Sequence, residues 1–507
     1  MSRNLRPAAR RTALALCAAL LFALGCAPPA AAQQGTEHLS IVSLHVTSQP
    51  TDMATPWNKR TEQNVRGNAL VVGAGLLLTT ADLVKNATLI EARKLGRYPD
   101  YQAERVRIDY ELDLALLSVA DPDFWDGLVP MELSTEPIQF GRFVVSRWRS
   151  NGRFEQGSGE VVDLRATTSR FGSLELPIMR GTTNMGGLGW AEVMTHEGRV
   201  VGLITSHNNS ELQATMSPVL AQFAAAASKQ PYQGLAHRGF GWQRLNQPAL
   251  RAYHGLDEHM PGVLITKIYS GGTGSDELRE GDILMKLGPY EIDAEGMISH
   301  PLYGEMLFPL AINDSDGPKL PARIRRDGRE MTLQLVRKRL EPEDYRIPTH
   351  AYDAPIDYDV FGGLVLQELN LGYLQAWGDG WQERAPRRLV IEYALRAVRE
   401  AGSDPEHEVI ISRVLPDASN LGYQNLDSAI VTRANGRPVL SLADFREAVR
   451  HPEGGFHVIE LLPGMGRSKL VFDATQIAEA NRRIGERYDV PAPPQIGREA
   501  RDGEASR

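Results

Sequence analysis

Short apolar runs separated by polar turns dominate the chain from residue 67 to about residue 217. GNALVVGAGLLLTT, QAERVRIDYELDLALLSVA, GRFVVSRW and RVVGLITS are examples, and Gly, Asn and Asp lie between them. Runs of this length that end at turn residues are typical of β-strands. The pattern predicts an antiparallel β-barrel or sandwich for this first unit, preceded by one more strand in SIVSLHVT at 40–47.

Changes in the pattern divide the rest of the chain into two further units. An Ala-rich helical stretch, VLAQFAAAASK, ends the first unit at about residue 230, and QPYQGLAHR has the composition of a linker. The second unit, 237–340, has predicted strands in GVLITKIY and ARIRRDGREMTLQLVRK. The third unit, 341–490, begins with a Pro- and Tyr-rich linker, has a helical pattern in RRLVIEYALRAVREAG, and has strands in EVIISRVL and FHVIELL. The Pro-, Arg- and Glu-rich tail at 491–507 is predicted to be disordered.

The N-terminus has the pattern of a secretory signal peptide. Four arginines among the first eleven residues precede TALALCAALLFALG, and small residues at 30–32 offer a cleavage site. A charged start, a short apolar core and a small-residue exit define such a signal. We predict a signal peptide at 1–32, an N-terminal segment at 33–66, and export to the periplasm or cell envelope. Two alternatives remain, a buried N-terminal helix and a lipoprotein signal that would place a lipid anchor on Cys26.

Composition limits the chemistry available to the chain. Its 507 residues suggest about three domains. The formal charge of −8 comes from mixed signs, which disfavours general nucleic-acid binding because phosphate neutralisation needs clustered Lys and Arg. Both cysteines, Cys17 and Cys26, lie in the predicted signal peptide, so the mature chain would have no disulfide and no thiolate ligand. No set of His, Asp and Glu has metal-ligand spacing, and we predict neither metal nor cofactor.

Three segments of the first unit resemble the HtrA/Deg branch of the trypsin-like serine proteases. GLLLTTADLV is similar to the family's GxxLTNxHV, IDYELDLALLSV to DxxxDLALL, and GTTNMGGLGWAEVMTHEGRVVGLITS to GNSGGPLxNxxGxVIGINT. The resemblance implies a mainly β fold, with a chymotrypsin-like double β-barrel at 67–230. It places Asp82 at the catalytic histidine, Asp113 at the residue that orients the histidine, and Met185 at the nucleophilic serine.

Two of these three positions lack the side chains that the catalytic triad requires. The thioether of Met185 has no proton to lose and cannot attack a carbonyl as a serine oxygen does. A carboxyl with an ordinary pKa of ~3.9 is poorly matched to deprotonating an alcohol at neutral pH. We therefore predict a pseudoprotease, in which the backbone N–H groups of Met185 and Thr183 keep at most a carbonyl- or carboxylate-binding nest. A rearranged active site is the alternative.

The second unit opens with RGFGWQRL at 238–245, which resembles the start of an HtrA-type PDZ domain. The segment that follows has the family's order of strand, loop, short helix and GDxI. The resemblance implies that Gly239, Phe240, Gly241 and Trp242 present backbone N–H groups to a peptide C-terminus, which would add a strand to an exposed sheet edge. Alternatively, Phe240 and Trp242 fill the groove and close it.

The third unit contains DASNLGYQNLDSAIVTRANGRPVLSLADF, which is similar to the second PDZ domain of plant-type Deg proteases. In that branch an INxGYE segment precedes a strand and an NGxPV hairpin. The resemblance therefore covers most of the chain and implies two PDZ-like α+β domains after the double barrel. In those relatives this module is implicated in assembly, so we expect a homo-oligomer.

Three hypotheses for function follow. The first is a non-catalytic HtrA/Deg-like protein of the cell envelope that binds peptide segments or C-termini. Its partners would include unfolded envelope proteins or an active protease relative, and it would act as a scaffold, quality-control or regulatory factor. The second is an active serine endopeptidase with a rearranged site. The third is a structural interaction module with closed PDZ grooves. We take the first as the prediction.

Overall fold

The structure is a computed structural model that describes residues 35–491, except 74, 139, 209–210, 228–231, 233, 258–259, 315–316, 350–351, 379, 405 and 465–467. The predicted signal peptide, with its possible lipid anchor at Cys26, lies outside the described residues. The predicted tail also lies outside them, apart from residue 491.

Twelve strands build two antiparallel barrels in the first unit. The first barrel contains β1 (Ile41–Ser48), β2 (Gln63–Gly73), β3 (Leu76–Thr79), β4 (Ala87–Arg93), β5 (Tyr101–Asp109) and β6 (Leu114–Val119). The second contains β7 (Arg142–Trp148), β8 (Phe154–Thr168), β9 (Glu175–Thr183), β10 (Val193–His196), β11 (Arg199–Asn208) and β12 (Glu211–Met216). Both barrels are closed, in the orders β1–β2–β3–β6–β5–β4 and β10–β11–β12–β9–β8–β7.

Alternation along the strands explains how the barrels acquire their cores. In β1 the side chains of Val42, Leu44 and Val46 enter the core of the first barrel, as a period of two requires. Ile41 enters a different cluster, between the barrels, together with Leu203 of the second barrel. Because β1 pairs with both β2 and β4, the first barrel begins at β1. The sequence pattern placed the start of the barrel later, at residue 67.

The second unit has a six-stranded sheet and a separate hairpin. The sheet contains β13 (Phe240–Gln243), β14 (Val263–Ile268), β15 (Ile283–Leu287), β16 (Tyr290–Glu291), β19 (Lys319–Arg326) and β20 (Arg329–Val336), and the hairpin contains β17 (Met297–His300) and β18 (Gly304–Leu307). The sheet order is β13–β14–β15–β19–β20, with β16 paired to β15. We expected a short helix before GDxI, but the structure has a turn there. Gly274 has a φ of +86°, and the N–H of Leu278 donates to the carbonyl of Gly274.

The third unit has a seven-stranded sheet. It contains β21 (Tyr358–Phe361), β22 (Leu364–Glu368), β23 (Val409–Val414), β24 (Ala429–Ala434), β25 (Arg437–Pro438), β26 (Phe456–Leu461) and β27 (Lys469–Asp473). The order is β21–β22–β23–β24–β26–β27, with β25 paired to β24. The sheet therefore ends in β21 on one side and in β27 on the other.

The helices are short and lie between or beside the sheets. They are α1 (Glu37–Ser40), α2 (Ala81–Val84), α3 (Pro122–Trp125), α4 (Ser217–Ala227), α5 (Pro248–Tyr253), α6 (Leu371–Gln375), α7 (Trp381–Arg384), α8 (Arg387–Arg396), α9 (Leu442–Ala448) and α10 (Ile477–Arg487), with 3₁₀ turns at Lys94–Gly96, Phe308–Asn313, Pro342–Asp344 and Ala418–Asn420. The helix expected over RRLVIEYALRAVREAG ends at Arg396. Residues 397–401 continue in backbone pairing instead, with Ser270 donating to the carbonyl of Arg399 and Arg399 donating to that of Asp344.

Mainly β content, two closed six-stranded barrels and a β-rich C-terminal unit confirm the predicted fold class. The three units also contact one another closely. The loop between β1 and β2 reaches the third unit, where the amide of Gln367 donates to the carbonyl of Met53 over 2.7 Å. Met53 itself is buried in a cluster with Leu374 and Leu389.

Candidate functional site

Two carboxylates meet where the first barrel carries α2. Asp82 lies in this one-turn helix directly after β3, and Asp113 lies in the turn before β6 with a φ of +52°. The backbone N–H of Asp82 donates to Oδ1 of Asp113 over 2.7 Å. The fold therefore brings together the two residues that the resemblance placed at the base and at the group that orients it.

Cations neutralise one member of this pair. Lys85 donates to Oδ1 of Asp82, and a guanidinium nitrogen of Arg170 lies 3.6 Å from Oδ2. The side chain of Asp82 is only 2% exposed. Burial raises the pKa of Asp113 well above its ordinary value, and the nearby charge of Asp82 raises it further. An ion-paired carboxylate beside a carboxyl that favours its proton is not arranged as a base for an alcohol.

Residues that lead into the third unit cover this pair. The ring of Tyr352 lies 5.6 Å from that of Phe171 and 4.9 Å from that of Tyr110, measured between centroids. Asp353 anchors the cover, because it accepts from the hydroxyl of Tyr110 over 2.5 Å and pairs with Arg105 at 2.6 Å. The Nζ of Lys85, which binds Asp82, lies 5.5 Å from the centroid of the Tyr352 ring, so the protein's own chain covers part of the cleft beside the pair.

The third residue of the predicted site points elsewhere. Met185 is 7% exposed and packs in the core of the second barrel with Met179, Met194 and Leu212. It lies against Gly157, where a Cβ would come within 2.8 Å of the Cβ of Met185. A glycine on β8 thus makes room for the thioether inside the barrel, and the structure gives Met185 a packing role.

The turn around Met185 does not offer the predicted nest. The N–H of Met185 donates to Oγ1 of Thr183 over 3.2 Å, and Thr183 itself belongs to β9, paired with Gly159 of β8. The expectation that these two N–H groups form a carbonyl- or carboxylate-binding nest is therefore wrong for this conformation, because the hydroxyl of Thr183 already accepts one of them.

A buried ion pair fixes the rest of this turn. Arg147 donates to the carbonyl of Gly186 over 2.9 Å and to that of Gly187, and it lies 3.4 Å from Oε1 of Glu192. Glu192 in turn accepts from the N–H of Gly189. Burial raises the pKa of Glu192. The turn is therefore held from inside the protein, and nothing in the sequence pattern pointed to Arg147 or Glu192.

A cavity of about 530 Å³ lies between the second barrel and the helices of the third unit. Asp113 and Thr205 line it from the first unit, and Trp381 and Tyr393 line it from α7 and α8. Asp82 and Met185 are not among its lining residues. The cavity marks the part of the cleft that the third unit covers without filling.

The predicted peptide site of the second unit lies on an edge strand. β13 contains Phe240, Gly241 and Trp242, and β14 is its one partner strand within the described part of the chain. Gly239 precedes it, and its N–H already donates to the carbonyl of Thr273 over 2.9 Å. Phe240 is fully buried, and the ring of Trp242 lies 5.1 Å from that of Phe308. Among the described residues no second strand pairs with β13, although Arg238 donates to the carbonyl of Phe240, and the aromatic side chains of the strand pack inward.

The corresponding groove of the third unit is filled by its own chain. β21 pairs along β22, and Arg446 of α9 clamps it by binding both carboxylate oxygens of Asp357 at 2.8 and 2.9 Å and the carbonyl of Tyr358 at 2.8 Å. In the turn between the strands, the N–H of Gly362 donates to Oδ1 of Asn481 over 2.8 Å. A side-chain oxygen of the same unit thus binds a backbone N–H of this turn.

Comparisons with known proteins agree with this architecture. A family model of the PDZ domain matches residues 347–494. Protease Do-like 2, chloroplastic, of Arabidopsis thaliana is 25% identical over 413 residues, which are 80% of this chain and 66% of that protein. Putative protease Do-like 3, mitochondrial, of the same plant is 24% identical over 412 residues, or 80% and 70% of the two chains. The solved structure of the HtrA-type protease AlgW with decapeptide has a TM-score of 0.45 and 17% identity, over 60% of this chain and 97% of that one.

Two closed six-stranded barrels, typical of the chymotrypsin-like fold, are followed by a PDZ domain at the C-terminal end. The chain is similar to HtrA/Deg proteases over about 80% of its length, and its C-terminal part matches the PDZ domain. It spans 66% of the length of the first relative named above, so its activity and partners have to be argued from its own residues.

Two further findings concern the described part of the chain only. None of its helices combines the length and the apolar character that a membrane span requires. Within the same residues, no group of three or more His, Cys, Asp and Glu side chains is placed to hold a metal ion.

Proposed function

We propose that this protein is a non-catalytic member of the HtrA/Deg family that binds extended peptide segments or C-termini. It would act in the cell envelope as a scaffold, quality-control or regulatory factor, with unfolded envelope proteins or an active protease relative as partners. Export by the signal peptide, with a lipid anchor at Cys26 as the alternative, and assembly into a homo-oligomer are part of the same proposal.

The observation that carries the non-catalytic role is the separation of the three predicted site residues. Asp82 is ion-paired and lies next to Asp113, whereas Met185 is buried in the barrel core with Met179 and Met194. Peptide hydrolysis of the trypsin type needs a nucleophile within reach of a base and an oxyanion hole. Tyr352 and Asp353 also cover the carboxylate pair.

The peptide-binding role is assigned to the second unit. A peptide can add to a sheet only where a strand has an unpaired edge, and in the residues that the structure describes a strand pairs with β13 on one side only. β21 occupies the matching place in the third unit. We therefore expect Phe240, Gly241 and Trp242 to border the bound peptide, with Gly239 supporting the turn before them.

Two assays on the purified full chain test this proposal. We expect no turnover of casein or of labelled peptides, with the same background rate for wild type and Asp113→Asn. Saturable hydrolysis that Asp113→Asn abolishes would establish the alternative of an active endopeptidase. In a screen of C-terminal peptides, we expect binding that Trp242→Ala weakens about tenfold and that Asn481→Ala leaves unchanged.

The interaction module with closed grooves is the second candidate. The filled groove of the third unit and the inward packing of Phe240 and Trp242 favour it. If no peptide in the screen binds, and Trp242→Ala and wild type behave alike in all partner assays, this second function replaces the first.

A further inference from the structure

One cluster of apolar side chains in the second barrel contains four methionines. They are Met179, Met185, Met194 and Met216. Three of them are fully buried, whereas Met185 is 7% exposed. It lies in the turn after β9, and its neighbours Asn184 and Gly186 are exposed. Met185 is therefore the methionine of this cluster that a small molecule in solvent reaches first.

The thioether of methionine reacts with peroxides. A sulfur lone pair attacks one oxygen of hydrogen peroxide, the O–O bond breaks, and the proton of the transferred oxygen goes to the departing hydroxide. Sulfur is oxidised to the sulfoxide, and the peroxide is reduced to water. From residue 27 onward the sequence contains no cysteine, so no thiol in that part of the chain competes for the oxidant.

The core around Met185 is unsuited to a sulfoxide. Met185 packs so closely on Gly157 of β8 that a Cβ at Gly157 would come within 3.2 Å of the terminal methyl carbon of Met185. The cluster also contains Phe143 and Leu212, whose side chains offer no hydrogen bond to a sulfoxide oxygen. Burying a polar group without a hydrogen bond is unfavourable, so oxidation of Met185 should loosen this packing.

The same cluster supports a contact between two units. Tyr303, in the turn of the β17–β18 hairpin of the second unit, packs against it. The ring of Tyr303 stacks on that of His300 with 4.6 Å between centroids, and the N–H of Tyr303 donates to Nδ1 of His300 over 3.2 Å. These contacts fix Tyr303 within the hairpin, so a change in the cluster at Met185 affects the second unit through Tyr303.

We propose that Met185 is an oxidation site, and that its sulfoxide loosens the core of the second barrel and releases the β17–β18 hairpin from it. The modification puts a polar group where the first unit supports the second. Methionine sulfoxide reductases reverse the reaction, so the release is a reversible response to peroxides. It does not depend on whether the protein binds or cleaves peptides.

Peroxide treatment of the purified full chain tests this proposal. Mass spectrometry of peptides measures the sulfoxide at each methionine, and hydrogen exchange measures the hairpin. We expect the sulfoxide of Met185 to accumulate before those of Met179, Met194 and Met216. Oxidised wild type should exchange at least about threefold faster at residues 297–307 than untreated wild type, and a methionine sulfoxide reductase should restore slow exchange. Oxidant should leave exchange at 297–307 unchanged in Met185→Leu.

Met331→Leu serves as the matched control. Met331 lies on β20 and is 37% exposed, so it is readily oxidised, and we expect its replacement to leave the response of the hairpin intact. Met297 of β17 remains in both variants, so faster exchange caused by its own oxidation would persist in Met185→Leu.

Three results would each overturn the proposal. The first is that Met185 stays unoxidised while Met331 is converted completely. The second is that wild type containing the Met185 sulfoxide exchanges at 297–307 as slowly as untreated wild type. The third is that folded Met185→Leu responds to the oxidant as wild type does, with folding verified by circular dichroism before treatment.

Discussion

The backbone N–H of Asp82 donates to the side chain of Asp113 over 2.7 Å. This hydrogen bond joins the two carboxylate-bearing residues at positions that the resemblance assigns to a catalytic triad. It fixes Asp113 under α2 without any imidazole, and it leaves the side chain of Asp82 to Lys85 and Arg170. The charges of Asp82, Lys85 and Arg170 and the buried carboxyl of Asp113 therefore form one cluster. This cluster has measurable consequences for the stability of the fold.

The first prediction concerns pH. The pKa of Asp113 is raised in the folded state by burial and then by the charge of Asp82. As pH rises above about 4, the unfolded chain releases this proton while the folded chain keeps it. Wild type therefore loses stability relative to Asp113→Asn by about 1.4 kcal/mol for each pH unit that separates the unfolded pKa from the folded one. We expect Asp113→Asn to be more stable than wild type at pH 7 and similar to it near pH 4.

Urea unfolding from pH 4 to pH 8 measures this difference. The carboxamide oxygen that the substitution introduces can still accept from the N–H of Asp82, so the hydrogen bond itself is preserved. Parallel stability profiles for the two proteins would contradict the raised pKa.

The second prediction concerns the packing of Met185. Replacing it with Ser removes most of a buried side chain and should destabilise the fold by about 2–5 kcal/mol, whereas Met185→Leu conserves volume and should cost less than about 1.5 kcal/mol. Gly157→Ala should also destabilise, because its Cβ would come within 2.8 Å of that of Met185. Gly186→Ala is the control, since no atom lies within 4 Å of its added Cβ.

Chemical denaturation of the four variants provides the measurement. If Met185→Ser is as stable as Met185→Leu, the side chain does not support the barrel core. A proteolytic Asp82→His/Met185→Ser variant would mean that residue 185 can turn outward to the cleft.

The third prediction concerns the buried pair of Arg147 and Glu192. Removing Arg147 takes away the cation beside the buried carboxyl of Glu192, and breaking a buried pair in this way typically costs about 3–5 kcal/mol. We expect Arg147→Met to reach this range and the double variant Arg147→Met/Glu192→Met to be less destabilised than the sum of the single changes. Hydrogen exchange should increase at 186–189, where Arg147 binds two carbonyls and Glu192 binds an N–H.

Additive single and double changes would contradict the coupling of these two side chains. So would unaltered exchange at 186–189 in a folded Arg147→Met variant.

The fourth prediction concerns the filled groove of the third unit. Arg446 binds Asp357 through two nitrogen–oxygen contacts and also binds the carbonyl of Tyr358. Arg446→Gln removes the bidentate pair, so we expect faster hydrogen exchange at Tyr358–Phe361 while β22 stays protected. Arg446→Lys keeps the positive charge but cannot bind both oxygens of Asp357 with two nitrogens of one planar group. We therefore expect it to protect β21 from exchange only in part.

Hydrogen exchange with mass spectrometry resolves the two strands. Equal protection of β21 in wild type and Arg446→Gln would show that strand pairing alone holds it. In that case Arg446 would have no role in closing the groove.

Particular residues show which features of the fold could be predicted from the sequence. Short apolar runs identified the barrel strands, since a period of two is a local property of each segment. The motif around Gly186 placed Met185 in the correct turn, and GLLLTTADLV placed Asp82 directly after β3. The extent of α8 was wrong, because the backbone of residues 397–401 pairs with 268–270 and 344–347, and no local pattern contains those partners.

The sequence alone determined which chemical groups stand at the three positions that the resemblance assigns to a triad: a carboxylate at 82, a carboxylate at 113 and a thioether at 185. Only the tertiary structure decided that Met185 points into the barrel and that Tyr352 covers the cleft. Only it showed that β21 fills a groove and that Tyr303 packs against the cluster that contains Met185. Side-chain identity is written residue by residue, whereas burial and pairing depend on segments far apart in the chain that meet only on folding.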